Sequence, residues 1–381
     1  MVSCPSSSFA RPRRSFPALL LTAAFLLAGT SPAWPADAPW GRLITSAAIA
    51  ANPSTHKIYA VNEGAHSVTI LNASTGARQI VAVGQQPIAL AIDRRTNRVY
   101  VANDGSASVS VIDGRSDTVI ATIPCDPLPY TLAVDEATGR IYVTHTYSGT
   151  VTVIDGEANT AEARKVGDAD GVAIDPATHT VFLSTYEDGT IRMLDETSGA
   201  VTRVAVGPHL WGMLFDPATG TLYLGHTGNA AVVALAEKTH AVHSLPVGSI
   251  PCALAINPVT HRLYAVNYGD QTLSVIDLKA QRVLATLPVG QHPQAVAVDA
   301  QRNLIYVANV LDNNVTVIDG SRNTVIGQRS AGAHPYALAI DPASGRVFAA
   351  NYAAPWITPL ADSQLQAAAP QRLITRPPQT P

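Results

Sequence analysis

Short apolar runs separated by turn residues recur along most of the chain. Between residues 252 and 290 the runs CALAIN, HRLYAVN, TLSVID and RVLATLPVG follow one another. Runs of four to eight residues that are rich in Val, Ile, Tyr and Thr are typical of β-strands. No stretch of helical length between residues 41 and 361 shows an apolar stripe with the helical period. The pattern therefore predicts an all-β protein.

The unit of four runs is written eight times, at spacings of 40 to 42 residues. The units can be aligned on the dipeptide that begins their first turn: Asn52-Pro53, Asp93-Arg94, Asp135-Glu136, Asp175-Pro176, Asp216-Pro217, Asn257-Pro258, Asp299-Ala300 and Asp341-Pro342. Four strands in a repeat of about 40 residues are typical of a β-propeller blade. We therefore expect a single β-propeller of eight four-stranded blades, with seven blades plus extra strands as the alternative.

We name the strands of a blade A to D, with strand A along the central channel and strand D outermost. The turn after strand A needs a residue with positive φ, which Gly, Asn and Asp adopt most readily and His also tolerates. His56, His179 and His261 hold that position, and His240 holds the equivalent position between strands C and D. We interpret these four histidines as left-handed turn residues.

The last blade needs an outer strand from one of the chain ends. The segment Arg42-Leu43-Ile44-Thr45 precedes the first strand A, and we expect it to close the ring as the outermost strand of the last blade. The segment Gln371 to Thr375 has a similar sequence, so either end could supply that strand.

Residues 1–36 have the features of a secretory signal peptide. Arg11, Arg13 and Arg14 precede an apolar stretch at residues 16–30, and cleavage is expected after Ala33 or Ala36. The Arg13-Arg14 pair also fits twin-arginine export, although Pro17 departs from that pattern. We expect a periplasmic or secreted protein without a membrane span after cleavage, a propeller at residues 37–361 and a flexible tail at residues 362–381.

The residues at the end of strand B are similar to the signature of a known repeat family. Tyr100-Val101-Ala102-Asn103, Tyr264-Ala265-Val266-Asn267 and Tyr306-Val307-Ala308-Asn309 resemble the Tyr-Val-x-Asn signature of the YVTN-type propeller repeat family. The run from Ser108 to Asp113 and the Pro288-Val289-Gly290 ending are similar to the same pattern. The resemblance covers about residues 41–361. It implies the propeller fold and says little about function, because one fold hosts many functions.

The amino-acid composition excludes some classes of protein but does not identify a function. Hydrophobic residues make up 47% and charged residues 14% of the chain, which excludes a disordered protein. The net charge is −3, and without residues 1–36 it becomes −6, so a general nucleic-acid binder is not expected. Cys125 and Cys252 lie three blades apart, and we expect both thiols to be free.

One position of each unit varies while its neighbours stay small or aliphatic. It lies at the start of strand A, which we expect at the mouth of the channel: Ala47, Ile88, Tyr130, Asp170, Trp211, Cys252, Gln294 and Tyr336. Variation at one ring position indicates either a ligand-facing site or neutral drift at an exposed rim. The candidate ligand-binding residues are Tyr130, Asp170, Trp211, Cys252, Gln294 and Tyr336.

Histidines on the same face suggest a second kind of site. His209, His292 and His334 occupy one position of the D–A loops, and His145 and His226 replace the asparagine that ends strand B. If strands A and B pair directly across their turn, Trp211 lies opposite His226 and Tyr130 opposite His145. Converging imidazoles could hold zinc or copper. The alternative is that these histidines form loop hydrogen bonds, since no close pair of histidines occurs.

The motifs of common catalytic sites are missing from the sequence, including GxGxxG, the Walker loop, GxSxG and CxxCH. We therefore assign no catalytic residue and favour a monomeric, exported, non-enzymatic binding or scaffold protein. Its D–A and B–C loops would face a small ligand or a partner protein. Less favoured are a periplasmic zinc- or copper-delivery protein, a lactonase-like hydrolase centred on Asp170, and a single-stranded nucleic-acid binder using Tyr130, Trp211 and Tyr336.

Overall fold

Each apolar run of the sequence forms one strand in the computed structural model, which describes residues 46–353 and 356–360. Blades 1 to 4 contain β1 (Ile49–Asn52), β2 (Lys57–Asn62), β3 (Ser67–Asn72) and β4 (Arg78–Ala82); β5 (Pro87–Asp93), β6 (Arg98–Asn103), β7 (Ser108–Asp113) and β8 (Thr118–Pro124); β9 (Pro129–Asp135), β10 (Arg140–His145), β11 (Thr150–Asp155) and β12 (Thr160–Lys165); and β13 (Gly171–Ile174), β14 (Thr180–Ser184), β15 (Thr190–Asp195) and β16 (Val201–Ala205).

The second half of the ring continues the same order. Blades 5 to 8 contain β17 (Leu210–Asp216), β18 (Thr221–His226), β19 (Ala231–Ala236) and β20 (Val242–Pro246); β21 (Pro251–Asn257), β22 (Arg262–Asn267), β23 (Thr272–Asp277) and β24 (Arg282–Pro288); β25 (Pro293–Asp299), β26 (Leu304–Asn309), β27 (Asn314–Asp319) and β28 (Thr324–Ser330); and β29 (Pro335–Ile340), β30 (Val347–Asn351) and β31 (Ile357–Pro359). Short 3-10 turns occur at Ser46–Ala48, Glu63–Ala65 and Asp104–Ser106.

The strands form eight antiparallel sheets, one for each blade. Blades 1 to 7 have four strands in chain order, and blade 8 has three strands among the described residues. The predicted single propeller of eight blades is therefore confirmed. The expected closing strand at residues 42–45, its competitor at residues 371–375 and the chain-end segments lie outside the described residues.

Strand B provides the core between neighbouring blades. An aromatic residue lies in the middle of every strand B and is almost completely buried: Tyr59, Tyr100, Tyr142, Phe182, Tyr223, Tyr264, Tyr306 and Phe348. The Tyr100 hydroxyl donates to the carbonyl oxygen of Gly156 in the next blade at 3.4 Å, and the Tyr142 hydroxyl donates to the Glu196 carboxylate. In blades 2 and 3, the tyrosine of the repeat signature therefore fastens its blade to the next.

The asparagine that ends strand B fastens strand B to strand C. The Asn103 side chain donates to the hydroxyls of Ser108 and Ser110, and that of Asn267 donates to Thr272 and Ser274. From the sequence, the recurrence of this asparagine at the end of strand B predicts loop caps that bond backbone groups. The structure shows mainly side-chain acceptors, because the asparagine faces the hydroxyls of the neighbouring strand.

The left-handed turn residues are confirmed. The φ angles are 53° at His56, 60° at His179, 52° at His261 and 58° at His240. A single turn geometry, repeated by the array, thus accounts for four of the histidines in the chain.

The turns between strands A and B also join adjacent blades. Asn52 donates to Asn97 at 2.6 Å and Asn257 donates to Asn303 at 2.8 Å, in each case across a blade boundary. Where strand A ends in aspartate, a histidine of the next blade can face it. His179 Nδ1 lies 2.7 Å from the Asp135 carboxylate, and His56 Nδ1 lies 3.4 Å from that of Asp341.

The His56–Asp341 contact lies at the seam where blade 8 meets blade 1 and the ring closes. The Tyr336 hydroxyl donates to the carbonyl oxygen of Val61 at 3.5 Å across this seam. Arg346 donates to the carbonyl oxygen of Ala73, and Arg78 donates to that of Ile357 at 3.0 Å.

No helix among residues 46–353 and 356–360 is long and apolar enough to cross a membrane.

Candidate binding face at the upper mouth of the channel

Strands A begin at one end of the channel, where the D–A and B–C loops also lie. We call this side of the ring the upper face and the side with the A–B and C–D turns the lower face. The variable position of the repeat lies at the rim where the upper face meets the channel.

A β-bulge lies near the start of most strands A, at or beside the variable position. In blade 6 the pairing with strand B shifts between Pro251 and Ala253, which leaves Cys252 as the extra residue. The same shift leaves Ile88, Gln294 and Tyr336 as extra residues in their blades. A bulge turns its side chain away from the normal alternation of a strand. The bulges therefore explain why this one position varies without disturbing the sheet.

The bulges correct one expectation. Leu210, and not Trp211, pairs with His226, and Trp211 pairs with Gly225. Likewise Pro129, and not Tyr130, pairs with His145. The predicted pairs were wrong by one residue, because they were counted from the A–B turn as if the pairing stayed regular up to the start of strand A.

The predicted mouth residues differ in exposure. Tyr130, Asp170, Trp211, Cys252 and Gln294 are half-buried. Tyr336 is only 3% exposed, and its ring packs on that of Tyr352 with 4.4 Å between the centroids. Its hydroxyl bonds Val61 across the seam between blades 8 and 1, so Tyr336 presents little surface.

Trp211 belongs to an aromatic cluster with Tyr186 and His209. The Tyr186 ring lies edge-on to Trp211, with 5.8 Å between centroids, and 5.0 Å from the His209 ring. Gly212 has a φ of +62°, and a Cβ there would lie 2.7 Å from the carbonyl oxygen of Cys252 in the next blade. Only glycine fits this close contact, so the backbone beside Trp211 is held against blade 6.

Asp170 holds the loops of blade 4. In six other blades the N–H just after strand B donates to the carbonyl oxygen of a left-handed D–A loop residue, as Tyr268 does to Ile250 at 3.0 Å. In blade 4 the N–H of Tyr186 donates instead to the Asp170 carboxylate at 3.0 Å. Burial raises the pKa of Asp170 above its usual value, and the Tyr186 N–H and the Thr146 hydroxyl oppose that rise.

The phenols at the mouth have raised pKa values because they are buried. Burial raises the pKa of Tyr352, and the charges of Glu63 and Tyr130 raise it further. Burial also raises the pKa of Tyr130, with a contribution from Asp170. Tyr130 belongs to blade 3 and Tyr352 to blade 8, and burial is the main cause of the raised pKa at both. These phenols are protonated at neutral pH and offer O–H donors.

Cys252 and Gln294 occupy neighbouring mouth positions. The Cys252 thiol lies 3.6 Å from the carbonyl oxygen of Pro293, and burial raises its pKa to about 12. Cys125 and Cys252 are both free thiols, as expected. The side-chain nitrogen of Gln294 is buried and has no hydrogen-bond partner among the described residues.

Two of the candidate metal-ligating histidines replace the strand B asparagine and are buried. His145 Nε2 lies 2.7 Å from the Thr152 hydroxyl, and its Nδ1 lies 3.2 Å from the carbonyl oxygen of Pro127. His226 Nδ1 accepts the N–H of Asn229 at 3.2 Å. Burial lowers the pKa of both imidazoles. Both side chains thus bond within their own blade in place of the asparagine.

The other three candidate histidines are left-handed D–A loop residues, with φ between 52° and 66° at His209, His292 and His334. The turn geometry that accounts for the lower-face histidines therefore applies to them as well. His292 Nδ1 lies 2.9 Å from the Tyr268 hydroxyl, and His334 Nδ1 lies 3.2 Å from the carbonyl oxygen of Val310. Within residues 46–353 and 356–360, no three His, Cys, Asp or Glu side chains lie together in a way that could hold a metal ion.

A second ring of residues contributes to the mouth and was missed by sequence reasoning. It follows the strand B asparagine, eleven residues after the aspartate or asparagine that ends strand A: Glu63, Asp104, Thr146, Tyr186, Thr227, Tyr268, Val310 and Tyr352. Tyr186, Tyr268 and Tyr352 from this ring contact Trp211, His292 and Tyr336 respectively. The sequence does contain the signal for this ring, because its members occupy the position directly after the end of strand B in each repeat.

Two concavities of the described ring lie away from the upper mouth. One, of about 430 Å³, lies at the lower end of the channel beside Ala50, Ala91, Arg94 and Asp135. The other, of about 480 Å³, is a groove between blades 1 and 2 at the outer edge of the upper face, beside Gln85, Ser106 and Pro124. The residues that line them do not include the predicted mouth residues.

No protein-family model matches the chain, and no curated protein sequence matches it either. Several solved structures do. Hydrazine synthase from Kuenenia stuttgartiensis is 22% identical with a TM-score of 0.60, over 71% of this chain and 94% of that chain. Dihydro-heme d1 dehydrogenase NirN, solved in complex with DHE, is 16% identical with a TM-score of 0.68, over 81% of this chain and 74% of that chain. These likenesses show the propeller fold.

Proposed function

We propose that the chain is an exported, non-enzymatic binding protein that docks a partner protein on its upper face. The aromatic cluster of Tyr186, His209 and Trp211 at the channel mouth carries this proposal. Trp211 is half-buried, so part of the indole faces solvent while Tyr186 holds it from the side. Rigid aromatic side chains supply large contact areas at low entropic cost and are enriched among the residues that dominate binding energy.

The packing of the mouth residues favours a protein over a small ligand. The rings of Tyr336 and Tyr352 pack on each other, and the predicted mouth residues line neither of the two concavities described above. Small-ligand sites are usually concave and enclose most of the ligand. A broad rim with an aromatic centre instead matches the pattern of a protein interface, in which central aromatic residues are surrounded by polar ones.

The polar groups of the mouth support binding over catalysis. A thiol with a pKa of about 12 is a poor nucleophile at neutral pH, and this applies to Cys252. The Asp170 carboxylate already accepts the Tyr186 N–H and holds a loop in place. A lactonase-like reaction centred on Asp170 is therefore the weaker hypothesis.

Nucleic-acid binding and metal delivery also have less support. Stacking of bases would need exposed rings, and Tyr336 is 3% exposed. Zinc or copper delivery by the five histidines stays a prediction that elemental analysis of the purified protein can test directly.

Export and periplasmic or secreted localisation are supported by the sequence of residues 1–36, in which arginines precede an apolar stretch. Mass spectrometry of the mature N-terminus tests this part of the proposal, with cleavage expected after Ala33 or Ala36. An intact N-terminus on protein recovered from the producing cells would contradict it.

Site-specific crosslinking tests the docking face. A photoreactive phenylalanine analogue is placed either at Tyr147, which is 54% exposed on the upper face, or at Val259, which is 71% exposed on the lower face. In the cells that produce the protein, we expect Tyr147 and not Val259 to give one specific adduct. The adduct partner is then purified and its binding to the full chain is measured. Adducts from Val259 alone would move the docking site to the lower face.

Replacing Trp211 by Ala should weaken binding of that purified partner by about 2 kcal/mol or more, which is the usual range for a central aromatic residue. The melting temperature should stay close to that of the wild type. A variant that loses thermal stability and keeps its affinity would show that Trp211 only closes the channel.

A further inference from the structure

The loops of the upper face carry charge of one sign. Within the described residues of these loops there are nine carboxylates and no Lys or Arg. The carboxylates come from blades 1 to 4, 6 and 7 and their connecting loops: Glu63, Asp104, Asp126, Asp168, Asp170, Glu187, Asp188, Asp270 and Asp312. The upper face is therefore an acidic ring around the aromatic centre.

The turns of the lower face are mixed. Among the described turns they contain eight Lys and Arg residues: Arg94, Arg95, Arg115, Lys238, Lys279, Arg302, Arg322 and Arg346. Carboxylates accompany them, and Arg94 pairs with Glu136 at 2.6 Å. The absence of positive charge is thus particular to the described upper loops and does not follow from the composition of the chain.

Three positive side chains on strands approach the upper face. Arg192 pairs with Asp188 and so neutralises one of the nine carboxylates. Lys165 ends the outer strand of blade 3, and Arg329 lies near the end of the outer strand of blade 7. The last two lie at the outer edge of the ring, away from the channel. The centre of the face keeps its negative charge.

The fold needs hydrogen-bond acceptors at these positions, but it does not need charge. The Asp270 carboxylate accepts the N–H of Ser249 at 2.6 Å, and that of Asp312 accepts the N–H of Gln291 at 2.8 Å. In the equivalent loops of blade 2, the neutral hydroxyl of Ser106 accepts the N–H of Gln85 at 3.1 Å. Since a neutral acceptor serves equally well there, loop geometry does not explain why the other acceptors are carboxylates.

We infer that the partner docked on the upper face presents a surface rich in Lys and Arg. This inference rests on the proposed function and specifies the chemistry of its partner. Complementary charge accelerates the encounter of two proteins and orients them before contact. At the centre, the rings of Tyr186 and Trp211 accept a guanidinium or ammonium group on their faces, an interaction that is strengthened when water is excluded.

Fluorescence anisotropy with two labelled peptides of equal length, one lysine-rich and one glutamate-rich, tests the inference on the full chain. We expect the lysine-rich peptide to bind and the glutamate-rich peptide to fail. Binding should weaken about tenfold or more as NaCl is raised well above physiological strength, because exposed charges are screened. Equal binding of the two peptides, or binding that does not respond to salt, would overturn the inference.

Two variants with equal net charge locate the effect. The upper-face variant carries Asp168→Asn, Glu187→Gln, Asp270→Asn and Asp312→Asn, which remove charge and keep an acceptor. The control variant carries Glu136→Gln, Glu157→Gln, Glu162→Gln and Asp195→Asn on the lower face and outer edge. We expect about a tenfold loss of affinity in the first variant and less than about a twofold change in the second. Equal losses would mean general attraction to a negative protein and would reject the acidic ring as the site.

The Trp211→Ala variant separates the two proposals. Loss of peptide affinity in both the upper-face variant and Trp211→Ala supports an acidic ring that acts with the aromatic centre. Loss only in the upper-face variant keeps the charge inference and removes Trp211 from the docking site. A Tyr147 adduct whose purified partner binds independently of salt keeps the docking face and overturns the charge inference. Full displacement of the lysine-rich peptide by tetramethylammonium would identify a small organic cation as the occupant and overturn the basic protein partner.

Discussion

At the scale of single residues, Asp170 shows how one blade departs from its neighbours. Its carboxylate takes the place of a backbone carbonyl, so the side chain is half-buried and bonded to the Tyr186 N–H at 3.0 Å. Its pKa is raised mainly by burial and further by Asp168 and Glu187. A carboxyl whose pKa is raised on folding destabilises the folded state as the pH rises through that pKa, because ionising it is costlier there than in the unfolded chain.

We therefore expect Asp170→Asn to gain melting temperature relative to the wild type as the pH is raised from 4 to 7, since Asn keeps an acceptor and cannot ionise. Asp170→Ala leaves the Tyr186 N–H without its partner and should cost about 1–3 kcal/mol at every pH. Thermal unfolding of the three proteins across this pH range checks both expectations. A difference between Asn variant and wild type that is independent of pH would show that the Asp170 carboxyl has an ordinary pKa.

The residues of the mouth were only partly predictable from the sequence. The repeat period placed Trp211 and Tyr130 at the start of strand A without any structure. Their neighbours were not predictable in the same way, because each bulge shifts the pairing by one residue and brings Tyr186 from another blade against Trp211. Such a contact depends on how two blades pack, and it leaves no signal in the local pattern.

At the scale of strands and turns, the blade boundaries are held by matched pairs. Asp135 faces His179 across one boundary, and Asn257 faces Asn303 across another. The double variant Asp135→Asn/His179→Asn copies the second pair at the first boundary, and Asn also preserves the bond from the Ala137 N–H. We expect its stability to stay within about 0.5 kcal/mol of the wild type.

Asp135→Ala serves as the contrast, because it removes the acceptor for both the turn and the next blade. It should lower the melting temperature by about 2 °C or more, which corresponds to about 1 kcal/mol in a domain of this size class. Thermal unfolding followed by circular dichroism compares the two variants. If the double variant loses as much as Asp135→Ala, the pairs are not interchangeable.

The expected closure of blade 8 by residues 42–45 stays a prediction. Blade 8 has β29, β30 and β31 among the described residues, and a fourth strand would cover the outer edge of β31 and protect it from pairing with other chains. Deleting residues 37–46 should lower the melting temperature of the mature protein. Deleting residues 371–381 is the matched control. A drop in the control alone would assign the outer strand to the C-terminal segment.

Strands and turns were the most predictable part of the molecule. Val, Ile, Tyr and Thr in alternation with turn residues specify a strand locally, and the left-handed residues at His56 and His179 follow from the same turn repeated. Strand C of blade 8 corresponds to the run Trp356-Ile357-Thr358-Pro359-Leu360, which is a weak strand pattern, and in the structure it is a short strand, Ile357–Pro359. The role of the strand B asparagines was misjudged, because their acceptors lie on the neighbouring strand.

At the scale of the whole ring, acid should destabilise the fold in two stages. Burial lowers the pKa of His145, His226 and His292 below the usual 6.5, so the unfolded chain binds protons first and stability declines as the pH falls below that value. The second stage comes from aspartates in the C–D turns, whose pKa is lowered mainly by hydrogen bonds: Asp113, Asp155, Asp195, Asp277 and Asp319. The stabilisation of the fold by these aspartates is present at pH values above their usual pKa of 3.8. It is lost as the pH falls through the lowered pKa values.

His145→Asn tests the first stage, because asparagine is the residue that most blades use at this position and it can bond the Thr152 hydroxyl. We expect a smaller decline in melting temperature between pH 7 and 5 than in the wild type, with the decline below pH 4 unchanged. His243→Asn, at an exposed position on an outer strand, is the control and should leave both stages as they are. An unchanged first stage in His145→Asn would assign it to other groups.

The matched pairs at the blade boundaries also limit how the gene for such a ring can change. A blade lost by unequal crossing-over joins two turns that were not neighbours before. Asn52 now donates a hydrogen bond to the side chain of Asn97. If blade 2 were lost, Asn52 would face Gly139, which has no side chain that could accept this bond. Blades that arose as copies of one another have in this way come to depend on their particular neighbours. The deletion or duplication of a blade is therefore tolerated best where the new boundary joins turn residues that form the same kind of pair.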